Sequence, residues 1–213
     1  MRAPVKLFLA SSNPGKLLEF RALAAATHSS APAISGDAPA SSVEIELLAG
    51  FDSLPSFEEN APTFAENAAG KALHYSRFAE EYVFADDSGL VVPALGGAPG
   101  VLSARYAGAN ATNEERIAKL LGALREKKGT ERAAYFICAI ALTERGRAIA
   151  VVTARVDGEI LEAPGGSGGF GYDPDFYFPP LNKTFAELSR KEKNQHSHRG
   201  KAFRKLIMAV AAL

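Results

Sequence analysis

The sequence predicts an α/β fold in which helices flank a mixed β-sheet. Segments with strand character alternate with segments of helical periodicity along most of the 213 residues, an order that is typical of the α/β class. Two β-rich runs, 133–143 and 147–156, are separated only by Glu144-Arg145-Gly146, which predicts a hairpin with a glycine turn. The first run is apolar on both faces and is therefore expected to be a central strand.

The composition is that of an ordinary globular protein, and the length suits one domain over residues 1–213. The 24 basic residues balance the 24 acidic ones, so the net charge predicts no bulk attraction to nucleic acid or to an acidic membrane. The single cysteine, Cys138, excludes an internal disulfide framework and is typical of a reducing compartment. Without a long apolar run or a signal peptide, we expect a cytoplasmic location.

The beginning of the chain predicts a strand, a turn and a helix that could bind an anion. Residues 5–10 have strand character, residues 11–15 form a polar turn, and apolar residues recur at helical spacing from Lys16. The N-terminus of such a helix favours an anion, although a capped helix with a solvated lysine explains the same residues. Residues 27–42 are rich in Ser, Ala and Pro and are expected to form an exposed loop.

Capping boxes predict where several of the later helical segments begin, after a further strand at 43–48. The boxes are Thr63 with Glu66, Thr112 with Glu115, and Thr184 with Glu187. In the helix after Thr63, Asn67 and Lys71 lie four residues apart at the border of the apolar stripe. Lys71 could extend to solvent from there or reach a phosphate.

Two adjacent carboxylates, Asp86 and Asp87, are expected where an apolar strand ends, followed by a turn at Ser88 and Gly89. Alternate side chains of a strand face opposite sides. One of the two acids is therefore expected to face a cleft. All four residues also favour an ordinary turn, which is the competing interpretation.

Two later stretches contain residues suited to a nucleotide. Residues 164–173 include five glycines, which are best explained by a close approach of the backbone or by positive φ. In that stretch Phe170 could stack on a base and Asp173 could accept a hydrogen bond, but a core Phe and a turn Asp fit equally well. Near the C-terminus, His198 and Arg199 are predicted in the first turn of the last helix, where a bound anion would offset their unfavourable interaction with the helix dipole.

Five motifs occur in order along nearly the whole chain. They are Ser11-x-Asn13-x-x-Lys16, TFAENAAGKA, ADDSGL with GGAPGVLSARYAG, GGSGGFGYDPDF, and TFAELSRKEKNQHSHRGKAF. Together they resemble the inosine triphosphate pyrophosphatase family, whose members hydrolyse non-standard purine nucleoside triphosphates. The resemblance implies an α/β fold with a long mixed sheet, two lobes and a central nucleotide-binding groove. It also implies Mg²⁺-dependent hydrolysis of ITP, dITP and XTP to the monophosphate and pyrophosphate by a homodimer.

The resemblance further implies roles for individual residues. Asp87 would act as the base on the attacking water and would bind Mg²⁺ together with Glu59, with Glu58 as the alternative ligand. The substrate-binding residues that it implies are Ser11, Asn13, Lys16, Lys71, Ser88, Phe170, Gly171, Tyr172, Asp173, Lys193, His198 and Arg199. The lysines, Ser11 and Asn13 would hold the triphosphate, and Ser88 would contact the nucleotide. The residues that would surround the base are Phe170, Asp173, His198 and Arg199.

Three residues depart from the family's usual pattern: Pro93, Leu102 and His196 stand where an acid, an aromatic and an apolar residue are expected. Two other functions stay open. One is a related pyrophosphatase that acts on other modified or on standard dNTPs. The other is a nucleotide-binding sensor without turnover.

Overall fold

The computed structural model describes residues 4–29 and 43–213, and in this part of the chain seven strands form one sheet of order β2-β1-β3-β4-β5-β6-β7. The first strand pairs in parallel with the second and third, whereas the fifth, sixth and seventh pair antiparallel. The predicted α/β fold with a mixed sheet is therefore confirmed. The strands are β1 (Val5–Leu9), β2 (Val43–Leu47), β3 (Tyr82–Val91), β4 (Ala133–Glu144), β5 (Arg147–Ile160), β6 (Phe176–Phe178) and β7 (Lys183–Thr184).

The predicted hairpin is confirmed: Arg145 and Gly146, which have φ values of 46° and 75°, connect the neighbouring strands β4 and β5. The α-helices of the described residues are α1 (Pro14–Ser29), α2 (Phe64–Tyr75), α3 (Asn113–Ala123), α4 (Arg190–His196) and α5 (His198–Ala211). None of them is long and apolar enough to cross a membrane. Helix α1 extends three residues into the segment 27–42 that was predicted to be a loop, and the rest of that segment lies outside the described residues.

The capping boxes mark helix starts, as predicted. Thr63 accepts a hydrogen bond from the Glu66 N–H at the start of α2, and Thr112 and Glu115 form the reciprocal box at the start of α3. The third box begins only a short 3-10 helix, Phe185–Glu187, and α4 begins at a further box that follows it. Helix α5 begins at His198 as predicted.

The prediction that a strand ends at Asp86 and Asp87 is wrong, because β3 continues to Val91. Leu90, which follows the polar tetrapeptide, is buried and extends the strand, and its N–H donates to Ser103 Oγ at 2.9 Å. Sheet pairing and burial have therefore overridden the turn preference of Asp-Asp-Ser-Gly. The two carboxylates lie in the middle of β3 instead of at its end.

The chain forms two compact units, each with its own core. The first comprises Met1–Asp87, Ala139–Thr153 and Gly200–Leu213, and the second comprises Ser88–Cys138 and Ala154–Arg199. In the first unit, the Phe20 ring packs edge-on against Phe84 at 5.1 Å and lies 5.6 Å from Phe203. In the second, Phe136 lies 4.6 Å from Phe176 within a buried cluster of aromatic and aliphatic residues.

Candidate functional site

The first unit contains three neighbouring carboxylates, Glu59, Asp86 and Asp87, which we call the carboxylate cluster. Asp86 and Asp87 are 1% and 7% exposed on β3, and Glu59 is half-buried in the segment before α2. The pKa of Asp87 is raised to about 6, chiefly by burial and then by the charge of Glu59, while a hydrogen bond from Asn67 acts in the opposite direction. A carboxylate with such a pKa is suited to accept a proton from water.

Two lysines pair with members of the carboxylate cluster, each with a different acid. Lys71 Nζ lies 2.6 Å from Glu59 Oε1, and Lys16 Nζ lies 2.9 Å from Asp86 Oδ1. Burial acts to lower the pKa of Lys71, but the nearby carboxylates, Glu59 first among them, outweigh it and raise that pKa. Both ammonium groups are therefore held beside the acids that a metal or a phosphate would approach.

The polar turn between β1 and α1 is organised by side-chain hydrogen bonds. The Asn13 N–H donates to Ser11 Oγ at 3.1 Å, and Asn13 Oδ1 accepts from the N–H groups of Gly15 and Lys16 at 2.9 and 3.3 Å. Asn13 therefore satisfies backbone donors that an anion would otherwise bind at the start of α1. Of the three residues predicted here to hold phosphate, Lys16 is the one whose charged group reaches the carboxylate cluster.

The sequence predicted either Glu58 or Glu59 as the second metal ligand. The two side chains lie in different surroundings. Glu58 is exposed and accepts a hydrogen bond from Asn60 Nδ2 at 2.8 Å. Glu59 pairs with Lys71, and its charge reaches Asp87 strongly enough to raise the pKa of that residue. The carboxylate that lies close to Asp87 is therefore that of Glu59.

Asn67 is fully buried and touches the carboxylate cluster directly. Its Nδ2 donates to Asp87 Oδ2 at 3.0 Å and to the Ala61 carbonyl at 3.3 Å, and its Oδ1 accepts from the Ala61 N–H at 2.9 Å. The sequence placed Asn67 at the border of the apolar stripe of α2 without assigning it a partner. The one available signal was its spacing of four residues from Lys71, which points both side chains to the same side of the helix.

The second unit contains a group of polar and aromatic residues around Arg199, which we call the arginine cluster. Buried Arg199 donates from Nη2 to Ser88 Oγ at 2.8 Å, and its Cζ lies 5.4 Å from the centroid of the Phe170 ring. Lys193 Nζ lies 4.7 Å from the same centroid and 2.5 Å from Asp173 Oδ2. Phe170 itself is 43% exposed, so part of its ring remains accessible to a planar ligand.

Lys193 and Asp173 were predicted for opposite ends of a nucleotide, but in the structure they form one ion pair. Asp173 Oδ2 also accepts the Phe170 N–H at 2.7 Å. The pair is largely buried, and 20 residues separate its members along the chain. Lys193 therefore belongs to the arginine cluster.

The glycine-rich stretch is shaped by close contacts within the second unit. A Cβ at Gly168 would lie 2.7 Å from the Ala186 carbonyl oxygen, and a Cβ at Gly169, which has a φ of 74°, would overlap the Asp173 carboxylate. The close approach that the glycines predicted is thus made to the protein's own backbone and to Asp173. The glycines allow the loop to fold over that carboxylate.

Two of the predicted substrate-binding side chains, those of His198 and Tyr172, lie in the core of the second unit. The His198 imidazole stacks on Phe136 at 4.6 Å with an interplanar angle of 11°. The buried hydroxyl of Tyr172 donates to the Ser103 carbonyl at 2.9 Å. These side chains pack beneath the elements that carry Arg199 and Phe170. Because the Tyr172 side chain is buried, its backbone is the part that could contact a ligand.

The chemistry of the acidic side chains limits which metal could bind. Among residues 4–29 and 43–213, no group of three or more His, Cys, Asp or Glu side chains is arranged to hold a metal ion alone. Mg²⁺ is commonly bound by one or two carboxylates, with water and phosphate oxygens completing its coordination. Glu59 and Asp87 provide a donor set of that kind.

The mixed sheet and the carboxylate cluster define an α/β protein in which lysines of two helices pair with buried or half-buried acids. Residues 7–209 match the model of the Ham1 family, and the chain belongs to this family. A dITP/XTP pyrophosphatase from Geobacillus kaustophilus is 49% identical over 201 residues, which cover 94% of this chain and 92% of that protein. The resemblance found in the sequence is therefore confirmed.

Solved structures show the same relationship. A HAM1 protein from Coxiella burnetii matches with a TM-score of 0.81 at 39% identity, covering 98% of this chain and 100% of that one. The Ham1 protein of Staphylococcus aureus matches with a TM-score of 0.80 at 36% identity, covering 97% and 98%. Similarity over the full length of both chains confirms the fold.

Proposed function

We propose that this chain hydrolyses non-standard purine nucleoside triphosphates, namely ITP, dITP and XTP, to the monophosphate and pyrophosphate. The observation that carries the proposal is the carboxylate cluster, in which a buried acid with a raised pKa lies among lysines that can hold a triphosphate. The names of the relatives, dITP/XTP pyrophosphatases, support the substrate class.

Mg²⁺ fits the proposed reaction, and Glu59 and Asp87 would hold it. When bound, the ion would neutralise phosphate charge and polarise the bond to be broken. Glu59 is a better candidate than Glu58 for the second metal ligand, because the charge of Glu59 acts on Asp87, whereas Glu58 is exposed and binds Asn60. A hard cation with oxygen ligands needs no further protein donor when phosphates complete its coordination.

Asp87 is the base of the proposed reaction. It accepts a proton from water as the water oxygen attacks the α-phosphorus and the bond from that phosphorus to the bridging oxygen breaks, so that pyrophosphate leaves. Lys16 and Lys71 lie beside the carboxylates and stabilise the charge that develops on the phosphate oxygens. The reaction needs no covalent nucleophile, and Cys138 is buried, which accords with a core role.

The arginine cluster supplies groups suited to a 6-oxo purine. Arg199 and Lys193 are donors only, so they would pair with a 6-oxo group and leave a donor facing the 6-amino group of adenine. Phe170 is accessible for stacking on the base. Selectivity against ATP would therefore come from an unpaired buried donor as well as from shape.

The proposal predicts a defined substrate preference. With Mg²⁺, the purified protein should release pyrophosphate from ITP, dITP and XTP with a kcat/KM at least about 100-fold above that for ATP, since an unpaired polar group in the site can cost that much. A panel that adds GTP and modified pyrimidine triphosphates, with pyrophosphate detected directly, would measure it. Equal hydrolysis of ATP, or no product from ITP and XTP, would contradict the proposal.

The same panel separates the two alternatives. A related pyrophosphatase would prefer another modified or a standard dNTP. A sensor without turnover would show ITP-dependent thermal stabilisation and no product, and its behaviour would not depend on a base at Asp87. The pKa of about 6 at Asp87 favours catalysis over sensing, because carboxylates with raised pKa values occur often at catalytic sites.

We also propose a homodimer of single-domain chains in the cytoplasm, as the resemblance implies. The balanced charge and the lone buried cysteine support an intracellular location. Light scattering would distinguish a dimer from a monomer of 22.5 kDa.

Lys71 is expected to compete with a metal ion for Glu59, because its ammonium group lies 2.6 Å from the carboxylate. Replacing Lys71 with Gln should strengthen the binding of Mn²⁺ in the absence of nucleotide by about tenfold, since a neighbouring positive charge is removed. The same change should weaken ITP binding, because a phosphate ligand is lost. Titrations followed by electron paramagnetic resonance measure the first effect, and unchanged Mn²⁺ affinity would contradict it.

A further inference from the structure

We propose that Asn67 is a positioning residue for the reaction, because its amide holds the Asp87 carboxylate and the backbone that follows Glu59 in one fixed arrangement. The inference rests on the proposed function and adds a residue to it. Asn67 lies on α2, Asp87 on β3, and Ala61 in the segment that carries Glu59. One buried side chain therefore connects three elements at the place where the two proposed metal ligands come together.

The orientation of the Asn67 amide is determined by its partners. The Ala61 N–H can only donate, so the atom 2.9 Å from it must be the oxygen, Oδ1. The other end of the amide is then Nδ2, which faces the Ala61 carbonyl and Asp87 Oδ2, both of which are acceptors. Each N–H has its own acceptor, and the reversed amide would place like groups against each other on every side.

The contact with Asp87 orients that carboxylate without neutralising it. The bond engages one oxygen, Oδ2, and the donor is uncharged. A lysine or arginine in this position would cancel the negative charge that attracts a cation, and an aspartate would present an oxygen to Asp87 and repel it. An amide is therefore the side chain that fixes Asp87 and leaves its charge available.

The contacts with Ala61 extend the effect to Glu59. Ala61 is two residues beyond Glu59, and both its N–H and its carbonyl bind the Asn67 amide. A segment without regular structure is held in this way at a fixed distance from β3. The position of Glu59 relative to Asp87 thus depends on the Asn67 amide as well as on the ion pair with Lys71. Residues that bind metal ligands from behind commonly orient them in this way.

A purely structural role is the alternative, since a buried Asn that binds a loop stabilises the fold wherever it lies. The two roles differ in what a substitution changes. Loss of a structural contact lowers stability and leaves the chemistry of the folded protein intact. Loss of a positioning contact lowers kcat and metal affinity even in fully folded protein, because groups behind metal ligands typically contribute 10- to 100-fold to both.

The test compares Asn67→Ser and Asn67→Leu with wild type. Ser leaves room for a water molecule that can bind the groups Asn67 leaves behind. Leu keeps the volume of the side chain and removes every hydrogen bond. One of the two variants in folded form is sufficient for the test. We expect kcat for ITP to fall 10- to 100-fold with KM within about threefold, and the affinity for Mn²⁺ without nucleotide to fall about tenfold or more. Circular dichroism at the assay temperature confirms that the variant is folded.

Thr143→Val provides the matched control. Thr143 is fully buried, and its hydroxyl lies 3.1 Å from the Ala72 carbonyl and 3.0 Å from the Val83 carbonyl. It therefore also links α2 to β3, but through backbone carbonyls rather than through a carboxylate. This variant should lose stability and keep kcat and Mn²⁺ affinity within about threefold of wild type, as a contact remote from the chemistry does.

The inference is overturned if Asn67→Ser keeps both kcat and Mn²⁺ affinity within threefold, or if Thr143→Val loses as much as the Asn67 variants. Its failure is distinct from that of the proposed function. A wild-type protein that releases no pyrophosphate from ITP or XTP contradicts the function, and the Mn²⁺ titrations still decide whether Asn67 organises the carboxylates.

Discussion

Replacing Asp87 with Asn is expected to lower kcat for ITP by about a thousandfold, because a base that accepts a proton in the transition state commonly contributes between about 100- and 10,000-fold. The substitution keeps the size of the side chain and removes the group whose pKa is raised to about 6 by burial and by the charge of Glu59. At saturating Mg²⁺ the change should appear mainly in kcat, because the lysines beside the cluster remain. Below saturation, weaker Mg²⁺ binding is expected as well, since Asp87 is also a proposed metal ligand. Steady-state kinetics with ITP and Mg²⁺ measure it.

Asp86→Asn is the control that the chain offers, since the same chemical change is made one residue earlier on β3. Asp86 is 1% exposed and pairs with Lys16 at 2.9 Å, which an Asn oxygen can still contact. We expect kcat within about tenfold of wild type and a loss of stability of about 1–3 kcal/mol, as for a buried charged hydrogen bond that is weakened. Thermal denaturation measures the second quantity.

Equal losses of kcat in the two variants would contradict the assignment of the base to Asp87. The structure gives a reason to expect a difference, because successive side chains of a strand point to opposite faces. Asp87 is held by the neutral amide of Asn67, whereas Asp86 is held by the charge of Lys16. An acid already paired with an ammonium group is less suited to accept a proton.

The elements that the sequence predicted correctly are those that depend on neighbouring residues. The Thr63 and Thr112 capping boxes and the glycine turn between β4 and β5 are local hydrogen-bonding patterns, and each occurs in the structure. The polar tetrapeptide at Asp86 was misjudged for the opposite reason. Its conformation is set by its place in β3, between buried apolar residues on both sides, and local turn preference does not contain that information.

The candidate site shows the same division. Motif resemblance named candidate residues but not their partners within the protein, such as the ion pair that joins Lys193 to Asp173 in the arginine cluster. The ion pair of Lys71 with Glu59 and the contact of Asn67 with Asp87 join segments 12 and 20 residues apart. Such pairs follow from how the loop before α2 packs on β3, which neither residue type nor spacing determines.

The Asp175→Asn variant is expected to gain stability over wild type as the pH rises. The difference in the free energy of unfolding should change by about 2 kcal/mol between pH 4 and pH 7. Asp175 is 0% exposed, and neither of its carboxylate oxygens has a hydrogen-bond partner in the described part of the chain. Burial raises its pKa to about 6 from an ordinary value of 3.8, although the charge of Arg132 acts to lower it.

The sign follows from the two protonation equilibria. The folded state holds the proton of Asp175 up to about pH 6, whereas the unfolded chain releases it near pH 3.8. Between these values the folded state binds more protons, so wild-type stability falls as the pH rises and reaches a constant deficit above about pH 6. Below pH 3.8 both states are protonated, and the carboxyl group causes no deficit.

Urea denaturation of both proteins at pH values from 4 to 8 measures the difference, in which titrations common to the two proteins cancel. Asp157→Asn is the control, because Asp157 is an exposed acid of the same unit and pairs only at the surface with Arg155. The free-energy cost of burying the Asn amide does not depend on pH, so it would shift the stability curve of Asp175→Asn without changing its slope. Parallel stability curves for wild type and Asp175→Asn would therefore show that Asp175 is ionised in the folded protein, stabilised by Arg132 despite its burial.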